Sequence, residues 1–194
     1  MKNIQILLLL SFLISTSISY SQTSIGPLVG YRFSTFDKNK FLVENYGPEG
    51  KYTFKDIVPV FGAKINQHLY KMISISASGT YFNSVLKDYS YLGTDLKFNS
   101  ISIGLDINVK LFNDDFMIGG GSEANFVNGN WPYIYDYGNK QRIWHYNLQS
   151  SYNFNNFIVE AKYFHSFKKS GLQKYFDSIS GFQISLGYLF KVFK

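Results

Sequence analysis

Apolar side chains alternate with small or polar ones, at a period of two, along most of this 194-residue chain. The clearest run spans 100–111. There Ile101, Ile103, Leu105, Ile107, Val109 and Leu111 interleave with Ser100, Ser102, Gly104, Asp106, Asn108 and Lys110. A strand sends successive side chains to opposite faces, so this run predicts a strand with one apolar and one polar face. The same period marks seven further segments, near 25–35, 57–67, 73–81, 116–126, 144–152, 157–166 and 181–190.

The connections alternate as well. Longer polar stretches (36–56, 84–97, 127–141, 167–178) take turns with short ones at 68–70, 113–115 and 153–156. Short turns at one end and longer loops at the other are the habit of transmembrane barrels, and strands of about ten residues suffice to cross when tilted. The pattern therefore predicts an all-β protein, an eight-stranded antiparallel transmembrane β-barrel with up-and-down meander topology. A water-soluble barrel such as a lipocalin keeps its apolar residues inside and its charges outside. Here one face is almost wholly Ile, Leu, Val and aromatic, while the other carries Ser, Asn, Gly and charges of both signs. The apolar face is expected to meet lipid.

Aromatic placement fits two membrane interfaces. The chain holds 16 Tyr and 19 Phe, a burden for a surface in water. Phe112, Phe116, Tyr152, Phe157 and Phe190 fall near the short turns, and Phe33, Tyr81, Phe126, Trp144 and Phe182 near the opposite ends. Girdles at two interfaces have this arrangement. The N-terminus reads as a targeting segment. Lys2 precedes an apolar core from Ile4 to Ile14 that is too short to span as a helix, and Ser19-Tyr20-Ser21 offers small residues where a signal peptidase reads. Residues 1–21 are expected to be a signal peptide, and 22–194 the barrel. The absence of Cys excludes disulfide and thiolate-metal scaffolds, and no cofactor is expected. The net charge of +6 is spread rather than clustered, which argues against nucleic acid and for anionic lipid headgroups.

The final stretch, Gly181 to Lys194, sets Phe182, Ile184, Leu186, Tyr188 and Phe190 against Gly181, Gln183, Ser185 and Gly187. Ser185, Gly187, Phe190 and Val192 in this order resemble the C-terminal insertion signal of bacterial outer-membrane barrels. With the Ser21-Gln22 junction and the eight alternating segments, the whole mature chain resembles the small outer-membrane β-barrel families of Bacteroidota, including the PorT-like group, and OmpA-type eight-stranded barrels. The resemblance implies export to the outer membrane of a Gram-negative bacterium, handling by the barrel assembly machinery and contact with outer-membrane lipids and lipopolysaccharide. It carries over no functional residue.

Candidate chemistry is sparse. His145 is expected to point inward and His165 outward, so they cannot share a metal. His165-Ser166 is similar to the His and Ser of lipid A deacylases, but adjacent residues face opposite ways, which leaves His165 as a rim histidine near headgroups. Gly119-Gly120-Gly121 has no helix after it to make a phosphate site and is expected to make room for large neighbours. Trp131, Tyr133, Tyr135 and Tyr137 form a candidate loop binding surface for glycan, peptide or an extracellular or periplasmic protein partner; the plainer alternative is a loop folded over the barrel mouth or resting on headgroups. Lys168, Lys169 and Lys174 either meet lipopolysaccharide phosphates or are simply solvated. Seven charges take inward parity: Arg32, Lys64, Asp106, Lys110, Glu123, Glu160 and Lys162. Counting from the short-turn ends pairs Arg32 with Glu123, Lys162 with Asp106 and Lys64 with Glu160 in descending layers, with Lys110 at the periplasmic rim. The expectation is a non-enzymatic barrel with a plugged lumen. A small-solute pore and a lipid-modifying enzyme of the lipid A acyl hydrolase type are the alternatives.

Overall fold

A computed structural model describes residues 22–38, 53–70, 72–87, 95–111, 115–129, 140–167 and 176–193. The expected signal peptide, Phe112, the tyrosine-rich loop and Lys168, Lys169 and Lys174 lie outside these residues. The strands are β1 (Thr23–Lys38), β2 (Thr53–Tyr70), β3 (Ile73–Leu86), β4 (Leu96–Leu111), β5 (Phe116–Gly129), β6 (Lys140–Phe154), β7 (Phe157–Ser166), β8 (Phe176–Tyr188) and β9 (Phe190–Phe193). Each pairs antiparallel with the next, and β1 pairs with both β2 and β8, which closes the sheet. β9 continues β8 beyond Leu189 along the start of β1. The fold is thus a closed eight-stranded meander.

The strands outrun the lengths expected from the sequence. β4 has 16 residues and β2 has 18. At about 3.3 Å per residue and a tilt near 40°, 16 residues rise roughly 40 Å, against an apolar band of about 25 Å. The barrel wall therefore continues past the membrane on the long-loop side. On the other side, the expected turn at 68–70 is a strand instead. β2 pairs with β3 as far as Tyr70 across a register shift, and the His68 amide donates to the Gln22 carbonyl at 3.1 Å. The short turn between β6 and β7 is Asn155-Asn156, with Asn155 in the left-handed region at φ 57°, a conformation Asn tolerates better than most residues.

The long strands change the polarity rule along their length. Through the middle, Ile101, Ile103, Leu105 and Ile107 are more than half exposed on the outer surface, while Ser102, Asp106 and Asn108 are buried inside. Toward the long loops the arrangement inverts. Phe36, Phe54, Val58, Val60, Phe82, Leu86, Leu96, Phe98, Val127, Ile143, Phe164, Phe176 and Ile179 form one buried cluster inside the barrel. The outward residues beside them, Lys55, Asn83, Lys97, Asn99, Asn128 and Arg142, are exposed. Beyond the bilayer the wall is a collar in water, so it follows the ordinary rule of apolar core and polar surface. The expected upper girdle marks the change, since Phe33, Tyr81, Phe126, Trp144 and Phe182 all face outward. At the other end Tyr152, Phe157 and Phe190 are also outward and exposed.

Candidate functional site

Below the collar core the lumen holds six buried charges among the described residues: Arg32, Lys64 and Lys162 against Asp106, Glu123 and Glu160. β1 and β5 stand across the barrel from each other, and Arg32 Nη1 donates to Glu123 Oε1 at 2.8 Å. The same nitrogen reaches Gln183 Oε1 on β8 at 3.5 Å. The guanidinium lies 3.7 Å from the Phe164 ring centre and 4.7 Å from that of Phe82, so the lowest rings of the collar core hold its faces. Lys64 donates to Glu160 from β2 to β7.

Lys162 joins the two pairs. Its Nζ is 3.6 Å from Asp106, 3.8 Å from Glu123 and 4.0 Å from Glu160. The structure thus brings together the partners that parity places at one depth. It differs from three separate layers, because the central ammonium reaches an acid in each. The result is one chain with three positive and three negative members, neutral as a whole. Removing ions from water costs several kcal/mol each, and compensation within so narrow a space requires this kind of mutual pairing. Lys110 is half-buried at the short-turn end.

The wall of β5 is cut back to admit this chain. A Cβ on Gly121 would lie 2.6 Å from an Asp106 carboxylate oxygen, and one on Gly119 would collide with the Asn108 side-chain oxygen. With both positions bare, Asp106 and Asn108 of β4 lie across β5. Gln149 of β6 reaches over Gly119 to donate to Asn108, which donates to Ser76 of β3 at 3.1 Å. At the short-turn end Leu28, Ile158 and Leu189 form a second, smaller apolar cluster. Gly187 permits it, since a Cβ there would meet Leu28 at 2.6 Å and Ile158 at 2.9 Å. Ser185 of the C-terminal pattern is buried inward, while Phe190 and Val192 face outward and are exposed.

The histidines lie on opposite faces. His145 is buried in the lumen with its ring edge-on to Phe164, and His165 sits outside against Tyr146. Ser166 points inward, where its hydroxyl accepts the Ile179 amide at 2.9 Å. Among the described residues no group of three His, Asp or Glu side chains is arranged to hold a metal. Two parts of the site escaped the sequence reading: the collar core and the bridging role of Lys162. The first was legible in principle, because Phe54, Val58 and Val60 continue the inward parity of Lys64 along β2. The second depends on side-chain reach across the lumen, which spacing along a strand does not report.

A closed eight-stranded transmembrane barrel, filled by its own charges, is the class that this fold and lumen define. No family model matches the sequence, and neither does any curated protein. Solved structures do share the fold. Ail, the attachment invasion locus protein of Yersinia pestis, is 16% identical with a TM-score of 0.52, over 88% of this chain and 97% of Ail. Neisserial surface protein A is 11% identical with a TM-score of 0.56, over 86% and 97%. At these identities the likeness is one of fold.

Proposed function

We propose that the protein is a non-enzymatic, non-conducting barrel of the bacterial outer membrane that anchors there and presents its long loops for binding. The observation that carries this reading is the neutral chain from Arg32 to Lys64, which crosses the lumen beneath a collar packed with phenylalanines. An eight-stranded barrel has an interior only wide enough for side chains, and here those side chains bond to one another rather than to a passing solute. Nothing in this arrangement favours a small-solute pore. A lipid hydrolase would need His165 and Ser166 on one face, and they take opposite ones.

The binding surface in this reading includes Trp131, Tyr133, Tyr135 and Tyr137 and is aimed at a protein partner. Lys168, Lys169 and Lys174 of the last long loop meet lipopolysaccharide phosphates in the same reading. In this reading the C-terminal residues Ser185, Gly187, Phe190 and Val192 engage the barrel assembly machinery, and their pattern with the expected signal-peptide junction is what supports a kinship with the PorT-like barrels of Bacteroidota. The test is a planar-bilayer recording of the purified, refolded chain. It should insert without unitary conductance, and steady channel openings would overturn the proposal.

A further inference from the structure

Between the collar core and the charge chain lies a cavity of about 20 Å³. Its roof is apolar, with Phe36, Phe98 and Ile143 among the lining, and its other walls include Ser100, Asn125 and His145. These three polar residues are each 1% exposed, and they come from three consecutive strands, β4, β5 and β6. Each leaves one polar atom without a partner in the protein: Ser100 Oγ, Asn125 Oδ1 and His145 Nε2. Such buried atoms recur through this polar lumen, but these three share one cavity with room for a common ligand, and leaving them bare is costly.

The chemistry of that ligand follows from the donors and acceptors. The Asn125 amide nitrogen lies 2.5 Å from His145 Nδ1, and an amide nitrogen only donates. With the amide in this orientation Nδ1 accepts, and the neutral imidazole that fits it carries its proton on Nε2. With the Arg32 guanidinium and the Ser34 hydroxyl also on its wall, the cavity offers N–H donors from His145 and Arg32, the Asn125 carbonyl as acceptor, and hydroxyls that serve as either. Of the three unpartnered atoms a halide would satisfy only the donors and leave Asn125 Oδ1 bare; the Arg32 cation beside the cavity already has Glu123, so the anion would add a charge to a neutral chain. A water molecule satisfies all three. About 10–15 Å³ of such space holds one water, which typically makes about three hydrogen bonds. At about 20 Å³ the cavity has room for one and for little else.

We infer that Ser100, Asn125 and His145 form a binding site for a single internal water, which ties β4, β5 and β6 together at the boundary between the dry collar and the charged lumen. This gives the buried histidine a role that is neither catalytic nor metal-binding: it is a fixed donor. The test is NMR on the full mature chain, refolded in detergent micelles with ¹⁵N-labelled histidine. His145 should show the Nε2–H tautomer and a cross-peak from that proton to a slowly exchanging water. An Nδ1–H tautomer, or an Nε2–H with no water cross-peak, would overturn the inference. Replacing sodium chloride with sodium bromide should leave the His145 resonances in place; a shift would mean a halide occupies the site instead. Ser100→Ala removes one of the three partners, so it should keep the tautomer and weaken the cross-peak at least twofold. An unchanged cross-peak would take Ser100 out of the site.

Discussion

Arg32 is held through Nη1 by Glu123 and Gln183, and across its faces by the rings of Phe164 and Phe82. Glu123 has a second cation in Lys162, but at 3.8 Å it is a weaker partner than Arg32 at 2.8 Å. Losing one member of a buried pair typically costs about 3–5 kcal/mol, because the other charge stays buried without compensation. Glu123→Ala is therefore expected to destabilise the refolded barrel by about that amount in urea unfolding. Arg32→Ala added to it should recover part of the loss, and simple addition of the two losses would show that the pair contributes nothing. Asp106 supplies a sharper case. Among the described residues its one cation within 4 Å is Lys162. Lys162→Met should thus be rescued more by Asp106→Asn than by Glu160→Gln, since Glu160 keeps Lys64. Equal rescue by both would mean that the charges act only through their sum.

The long strands, β2 to β6 among them, cross two solvents, and the cost of truncation should follow the solvent. Phe36 is buried in the collar, with the Phe98 and Phe176 rings at 5.8 and 5.3 Å between centroids. Phe36→Ala is expected to cost about 3–5 kcal/mol, as for a large aromatic residue in any core. Ile103 on the same barrel is 56% exposed, and what it faces is lipid. Lipid fills the space that Ile103→Ala vacates, so its unfolding midpoint in lipid vesicles should shift much less. A comparable shift would place Ile103 in a packed interface. The terminal strand answers to the same rule. Phe190 is 57% exposed on the outer surface beside the Tyr188 ring. Phe190→Asp places a charge on the lipid face, which near an interface costs less than at the midplane. Its larger expected effect is on insertion, with the protein degraded before it reaches the membrane. Wild-type levels in the membrane fraction would contradict this.

For the whole molecule, the polarity inversion fixes where the bilayer ends. Spin labels along the outward positions of β4 should report lipid at Ile103, Leu105 and Ile107 and water at Lys97 and Asn99. Preferential relaxation by oxygen in the first group and by a water-soluble nickel complex in the second would be the signature. Lipid-like relaxation at Lys97 would mean that the collar is immersed and that its inner core needs another explanation.

Sequence alone determined the strand count, the meander and the direction in which each lumen charge points, because parity along a strand is a local property that no later packing can change. The run from Ile101 to Leu111 could only be a two-faced strand. It also limited which charges share a depth, since the short turns set a common origin for counting. It did not determine how far the strands run. Phe36 and Phe54 read as part of a polar loop at 36–56 until they meet Val58, Val60 and Phe82 inside the barrel, and those meetings exist only once the sheet closes. Likewise only one of the acids that Lys162 bridges, Glu160, lies on the lysine's own strand, two residues away on the same face. Its long, flexible side chain finds Asp106 and Glu123 because closure brings β4, β5 and β7 around one narrow lumen.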